Sequence, residues 1–259
     1  MTKLSIITVN YNDFKGLKKT IESVHAQSLQ RFDHIIIDGG STDGSEDYIK
    51  AQQNTFSYCI SESDRGVYHA MNKGIEQASG EYVLFLNAGD HFLNSDVLEN
   101  AIKHLRGESI IYFDLQVVEE RNIFIKKYPK KLSFSYFVDD TLPHPATFIK
   151  KTAFAKVGTY KEDFKIVSDW KFFIDAICKF QLTYKHVPEV LTTFYIGGMS
   201  SDPKNWSSKE AEKQGVLNEE YTLFYQDVEE TVLMKRVLNS LKKSRIINAL
   251  VRFKLLNKF

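Results

Sequence analysis

Only two cysteines occur in the 259 residues, Cys59 and Cys178, and they belong to no ligand-spaced cluster. That excludes a disulfide framework and a thiolate zinc site; two reduced, buried thiols in a cytosolic protein are the expectation. No apolar run approaches the ~18 residues of a membrane-spanning helix. The opening stretch Leu4-Ser-Ile-Ile-Thr-Val9 is too short for a secretion signal and is broken by Ser5 and Thr8. Nucleotide fingerprints are missing as well. Gly39-Gly-Ser-Thr-Asp-Gly44 is not G-x-G-x-x-G and follows the second apolar run, and no G-x-x-x-x-G-K-[ST] occurs. Dinucleotide cofactors and P-loop chemistry are therefore disfavoured. Acid is absent after Glu230: residues 231–259 hold eight Lys and Arg, while the other 26 basic residues face all 33 acidic ones. The asymmetry points to a partner for the tail rather than for the acidic body.

What is present suits a packed core. Hydrophobic residues make up 43% and aromatics 13%, enough for one large domain or a domain with an appendage. Through the first ninety residues the apolar period switches repeatedly. Residues 4–9 suit a buried strand, and Phe14, Leu17, Ile21 and Val24 then mark one face of a helix. A second strand over 32–37 ends at Asp38, a short helix runs to about Gln53, and 56–61 is a third strand. Val67, Ala70, Met71, Ile75 and Ala78 form another helical face closed by Gly80, before a fourth strand at 82–86. Such alternation predicts an α/β fold with a mainly parallel sheet and helices on both faces.

In open parallel sheets, ligands bind beyond the carboxyl ends of the strands. The segments lying there are Thr8-Val-Asn10, Asp38-Gly-Gly40, Glu62-Ser-Asp64-Arg65-Gly66 and Asn87-Ala-Gly-Asp90. All four are polar and three carry carboxylates. Singly, each has a plain local role: Thr42 or Asp43 can cap a helix, and Asp38 can open a turn. Four on one rim point to a site.

Beyond residue 96 the signals shorten. Residues 96–105 read as helix and 109–113 as strand; the runs 115–118 and 123–128 flank Glu119-Glu-Arg-Asn122 as a hairpin would. Leu142-Pro-His-Pro-Ala-Thr-Phe-Ile149 leads through prolines into a strand, 164–180 is mostly helical, and 182–187 and 190–196 read as strands. Residues 206–225 have an acidic-basic helical pattern. Residues 231–259 form one or two basic helices, with apolar stripes at Leu233, Val237, Leu238 and Leu241 and at Ile247, Leu250, Val251 and Leu255. Such a tail packs on its own domain, pairs subunits into a homodimer, or lies on an anionic membrane surface. Nucleic acid suits it less, because the acidic body would repel it.

Four stretches occur in order: Ser5-Ile-Ile-Thr-Val-Asn-Tyr-Asn12, Ile37-Asp-Gly-Gly-Ser-Thr-Asp-Gly-Ser45, Ser61-Glu-Ser-Asp-Arg-Gly-Val-Tyr-His-Ala-Met-Asn-Lys-Gly74 and Gly80-Glu-Tyr-Val-Leu-Phe-Leu-Asn-Ala-Gly-Asp90. They resemble successive motifs of family 2 glycosyltransferases. His144-Pro-Ala-Thr-Phe148, Val157-Gly-Thr-Tyr160 and Ser168-Asp-Trp170 are also similar to that family. The resemblance implies the GT-A fold: a Rossmann-like, mainly parallel sheet in a nucleotide-sugar-binding half (1–105) and a smaller acceptor-binding half (106–204). A helical, basic C-terminal extension (205–259) follows.

On that resemblance the donor is a nucleotide-sugar, a UDP-sugar by preference. Asp38 would accept the imide N–H of uracil, Thr8 and Asn10 would line the nucleotide, and Asp64 and Arg65 would close over base and ribose. Arg65 suits equally an ion pair with Asp64 or Glu62. Asn72 is placed to reach the donor, and Lys73 is expected in solvent. Asp90 would hold Mg²⁺ or Mn²⁺ together with the donor diphosphate and water. Held there, such a cation would supply Lewis-acid stabilisation of the departing nucleoside diphosphate. The family's Asp-x-Asp-Asp is reduced here: Gly89 lacks the acid that helps hold ribose or sugar, and Asn87 keeps hydrogen bonds without charge. Asp169 would be the base that deprotonates an acceptor hydroxyl as it attacks the anomeric carbon, inverting the configuration. Taken alone, an acid at a helix start is also favoured by the helix dipole. His144 either contacts acceptor or diphosphate or is a buried, hydrogen-bonded histidine. Trp170 either stacks on an acceptor sugar or packs in the core.

Three other classes fit less well. A sugar-phosphate nucleotidyltransferase would place a glycine-rich, basic loop where Val9-Asn-Tyr-Asn12 stands. A processive polysaccharide synthase would carry transmembrane helices and Gln-x-x-Arg-Trp, and neither occurs. A non-catalytic sugar-nucleotide-binding protein has no chemical need for both Asp90 and Asp169. The expectation is a metal-dependent, inverting enzyme that moves one sugar to an acceptor hydroxyl of a bacterial surface glycan on a lipid-linked acceptor. It would be cytoplasmic, or peripheral on the inner face of the cytoplasmic membrane, with no nucleic-acid partner.

Overall fold

The computed structural model describes residues 3–120, 122–199 and 201–243, with 235–243 as backbone alone. Two compact units divide the chain, the first ending at Lys213 and the second beginning at Gln214. A nine-stranded sheet organises the first. Strands β1 (Leu4–Asn10), β2 (Asp33–Asp38), β3 (Tyr58–Ser61) and β4 (Tyr82–Phe85) pair in parallel in the order β3-β2-β1-β4. The connections carry helices α1 (Phe14–His25), α2 (Ser45–Ala51) and α3 (Val67–Gln77). All seven residues of β1 are buried, which is why the strand reads as a run rather than an alternation: both faces are covered. Gly74 lets α3 close on the sheet, since a Cβ there would lie 2.5 Å from Ile7 Cγ2.

Past β4 the strand directions mix. The remaining strands are β5 (His91–Phe92), β6 (Ile110–Glu119), β7 (Asn122–Lys126), β8 (Thr147–Lys150) and β9 (Tyr184–Tyr195). β8 lies antiparallel between β4 and β6, β9 runs parallel to β6, β5 is antiparallel on β9, and β7 closes the expected hairpin on β6. Parallel strands joined in succession by helical crossovers are thus β1–β4, and β6 with β9 is a separate parallel pair. Two pairs of expected strands are single strands. The runs expected at 109–113 and 115–118 merge in β6, and those at 182–187 and 190–196 in β9; the β6–β9 register shifts between Phe113 and Leu115. Such an irregularity breaks the period of two and looks like a gap in sequence.

Further helices are α4 (Val97–Ala101), α5 (Phe134–Asp139), α6 (Lys151–Val157), α7 (Ser168–Ile174), α8 (Trp206–Glu220) and α9 (Thr222–Lys243). α5 and α6 were missed because six or seven residues hold too few turns to show a helical period. α9 starts at Thr222, so the helical pattern breaks at Tyr221 rather than after 225. The stripe of Ile247, Leu250, Val251 and Leu255 lies outside the described residues, as does all of 244–259. No described helix is long and apolar enough to cross a membrane. Cys59 and Cys178 are free thiols, half-buried rather than fully buried, and burial pushes both up, Cys178 to about 11.

Candidate active site

The carboxyl ends of β1, β2 and β4 open onto a cleft of about 1530 Å³. Residues of β6, β7, α7 and the 139–145 segment also line it. Pockets for a single small ligand measure roughly 300–1,000 Å³, so this cleft has room for two substrates.

One hydroxyl organises the loop after β4. Buried on α1, Thr20 has its Oγ1 2.7 Å from the Asp90 carbonyl and 3.1 Å from the Asn87 carbonyl, and it accepts the Gly89 N–H at 3.1 Å. Gly89 adopts φ 96°, a left-handed conformation that glycine takes without a steric cost. Asp90 is 9% exposed and its carboxyl has no hydrogen bond or ion pair among the described residues; burial pushes it up to about 8. The Asn87 Oδ1 is likewise buried without a partner.

Among the described residues no three His, Cys, Asp or Glu come together to hold a metal. The residues therefore fit a hard cation that takes one carboxylate from the protein and the rest of its shell from phosphates and water. They do not fit a closed protein cage. Asp13 was missed in the sequence. Its Oδ1 caps α1 by accepting the Gly16 N–H at 2.9 Å, and its Oδ2 lies 3.7 Å from where a Cβ on Gly89 would sit. A second carboxylate thus stands beside the depleted loop. The only local signal was its helix-capping position, which points to structure.

On the nucleotide side, Asp38 is fully buried and saturated. Its Oδ1 accepts from Asn10 Nδ2 and Ser41 Oγ, both at 2.6 Å; its Oδ2 accepts from the Ser41 N–H at 2.9 Å and Ser61 Oγ at 2.6 Å. Burial acts to raise its pKa, but these bonds outweigh it and leave the carboxyl below its ordinary value. Asp38 thus joins β1, β2 and β3, and a base could use it only by displacing one of those donors. Thr8 is also interior, 3.1 Å from His34 Nε2 and off the cleft.

Asn10 does reach the cleft, with an unpartnered Oδ1. Beside it, a Cβ on Gly39 would lie 3.1 Å from Tyr11 Cδ2 and 3.3 Å from Asp64 Oδ2, so the missing side chain leaves a flat slot between a ring and a carboxyl. Asp64 Oδ2 is buried and unpartnered, while Oδ1 meets Lys73 at 2.5 Å and His69 at 3.1 Å. Lys73 is thus not free in solvent, and it also pairs with Glu62 at 2.7 Å. Arg65 pairs with neither Asp64 nor Glu62; its guanidinium reaches Glu162 at 2.6 Å. Asn72 turns away from the cleft. Its amide donates to the Tyr160 carbonyl at 2.8 Å and accepts the Tyr160 N–H at 3.0 Å, tying α3 to the second half.

Across the cleft, Asp169 sits in the first turn of α7. The residues just before that helix are held by a side chain the sequence did not single out: the Glu212 carboxylate accepts the N–H groups of Lys165, Ile166 and Val167 at 2.8, 3.0 and 3.2 Å. The Tyr68 hydroxyl lies 2.6 Å from the Ile166 carbonyl and 2.9 Å from Asp169 Oδ1. Burial, then the Asp169 charge, pushes that phenol well above its usual range, so it stays a donor. Asp169 Oδ2 has no partner among the described residues, and Asp169 lines the cleft.

His144 is buried and hydrogen-bonded and also borders the cleft: Nε2 is 2.8 Å from the Tyr160 hydroxyl, and the ring stacks on Phe85 at 4.7 Å. Burial lowers its pKa although Asp169 acts the other way, which keeps it neutral. Trp170 is 3% exposed, with its indole N–H donating to the Phe137 carbonyl at 2.7 Å, and it also borders the cleft.

A parallel half-sheet with a polar slot and a buried carboxyl at its strand ends thus faces a mixed half that presents a carboxylate from a helix start. Residues 5–162 match the Glycosyl transferase family 2 model, and the chain belongs to that family. It is 36% identical over 178 residues to an uncharacterized glycosyltransferase of Mycobacterium tuberculosis, covering 67% of this chain and 68% of the relative. A PGL/p-HBAD biosynthesis glycosyltransferase of Mycobacterium bovis is 27% identical over 214 residues, 76% of this chain and 78% of that one. Among solved structures, S. aureus TarS 1–349 in complex with UDP superposes with a TM-score of 0.62 at 18% identity, over 75% of this chain and 60% of that one. The mannosyltransferase PcManGT of Pyrobaculum calidifontis, in complex with GDP-Man and Mn²⁺, gives 0.58 at 13%, over 98% and 79%. At these identities the structures support the fold.

Proposed function

We propose that the chain transfers one sugar from a nucleotide-sugar to an acceptor hydroxyl by single, inverting displacement. The observation that carries this reading is a pair of carboxyls lining one cleft, Asp90 buried without a partner and Asp169 with one oxygen held by Tyr68 and the other free. Asp90 would hold Mn²⁺ or Mg²⁺ against the donor diphosphate, and the bound cation supplies Lewis-acid stabilisation of the leaving group. Tyr11, Gly39 and Asp64 form a slot suited to a flat base. Asn10 Oδ1 and Asp64 Oδ2 are acceptors without donors, which base N–H or ribose O–H groups can satisfy. Asp38 holds Asn10 in place for that contact. A UDP-sugar is the preferred donor, in keeping with the TarS structure solved with UDP.

Asp169 takes the acceptor proton, with Tyr68 fixing which oxygen faces the cleft. The acceptor in this reading is a bacterial surface glycan carried on lipid, met on the cytoplasmic side. Donor turnover with Mn²⁺ tests the assignment. Asp169→Asn is expected to lose about 10²–10⁴-fold in kcat while still binding donor. An unchanged rate would remove Asp169 as the base.

A further inference from the structure

The β6–β7 arm carries an apolar face, at Ile123 and Ile125, that does not line the cleft. Among the described residues β7 pairs only with β6, and its apolar side chains are exposed: Ile123 63%, Phe124 40% and Ile125 42%. A strand with one face on a core would alternate buried and exposed residues; this one does not. The register sets Phe124 beside Val117 and Phe194 in one row across β7, β6 and β9, and that row lines the cleft. Because successive side chains alternate faces, Ile123 and Ile125 belong to the opposite face of the arm.

The charge around this edge is mainly basic, with exposed Glu119 and Glu120 at the hairpin turn. Residues 121–138 contain Arg121, Lys126, Lys127, Lys130 and Lys131 and no Asp or Glu. Lys126 is taken up by Asp140 at 2.8 Å. Lys127, Lys130 and Lys131 are exposed and have no ion pair among the described residues.

We propose that this arm docks the catalytic unit on an anionic bilayer. Ile123 and Ile125 enter the headgroup region while Lys127, Lys130 and Lys131 meet acidic headgroups. A second copy of the chain is a poorer occupant: pairing two such edges would set one lysine-rich segment near another, and edge lysines oppose that association. A soluble anion would leave the apolar side chains without a role. Docking here holds β7, whose Phe124 lines the cleft on its other face, against the bilayer. The proposal is separate from the glycosyl-transfer reading and from any contact through residues 231–259.

Flotation and amide hydrogen exchange of the full chain test it, using phosphatidylcholine vesicles with and without phosphatidylglycerol. The expected result is flotation only with the anionic vesicles, together with new amide protection across residues 119–131. Ile123→Ser/Ile125→Ser and Lys127→Glu/Lys130→Glu/Lys131→Glu change exposed side chains, and each should lower partitioning by at least about ten-fold. The exchange measurement on the unaltered chain needs no substitution. Any of four results would overturn the proposal: no flotation, flotation indifferent to phosphatidylglycerol, protection confined to other segments such as the tail, or protection without vesicles that grows with protein concentration.

Discussion

Asp90 gives up the hydration of its carboxyl and receives neither a hydrogen bond nor a cation from the described protein, so its proton stays on to about pH 8 against an ordinary 3.8. Between those values the folded state binds more protons than the unfolded chain. Stability of the metal-free protein should therefore fall as pH rises through that window, and level off above it. Asp90→Asn removes this titration. Melts in chelator should show the variant gaining on wild type as pH rises towards about 8, while Mn²⁺-dependent donor binding is lost. Parallel curves for the two proteins would rule the account out. Because the cation needs the deprotonated carboxyl, Mn²⁺ affinity should climb roughly ten-fold per pH unit below about pH 8. Isothermal titration in the presence of UDP at several pH values measures that slope, and a flat one would show that Asp90 is not a ligand. Asp90 was legible in the sequence from its place at a strand end. Its isolation was not, since that depends on what fails to approach it.

Elements, rather than single residues, set where Asp169 points. The segment entering α7 owes its conformation to Glu212, whose carboxylate takes three successive N–H groups. Glu212→Ala strands those donors, some of which water can reach, and a loss of about 2 kcal/mol is expected. The kinetic signature should be a lower kcat with little change in donor KM, because the slot at Asn10, Gly39 and Asp64 lies on other elements. Denaturant unfolding and steady-state kinetics together check this; a rise in donor KM matching the fall in kcat would contradict it. The loop at 87–90 shows the same dependence, resting on Thr20 from α1. Periodicity located the first four strands and α1 and α3 well, because their apolar faces are long. It divided β6 and β9 at an irregularity and passed over α5 and α6, where too few turns exist to show a period.

At the scale of the molecule, a cleft larger than one ligand needs and supplied with unpartnered acceptors should be stabilised by what fills it. A nucleotide-sugar at a hundred times its Kd adds about 2.7 kcal/mol. A thermal-shift panel should show uridine diphosphate sugars raising Tm, and raising it further with Mn²⁺. A panel in which guanosine diphosphate sugars win would redirect the donor assignment, and silence from every nucleotide-sugar would count against the cleft as the donor site. The uneven charge of the chain was visible from composition alone, and it drew attention to residues 231–259. The basic run at 121–138 is not legible as a surface in the sequence, because its meaning depends on β7 being exposed.

The α/β class, the strand-end location of the site and the family resemblance all followed from the order of residues, since side-chain period and position along a strand are local properties. The tertiary structure decided which polar groups remain available. Asp38 is consumed by Asn10, Ser41 and Ser61, and Asn72 by Tyr160, eighty-eight positions away. Asp13 stands beside Gly89, Glu212 holds the approach to Asp169, and Asp90 is left alone. A hydrogen-bonding group has a limited number of partners, and when those come from distant segments only the folded chain determines which groups are spent on structure and which are left for a ligand.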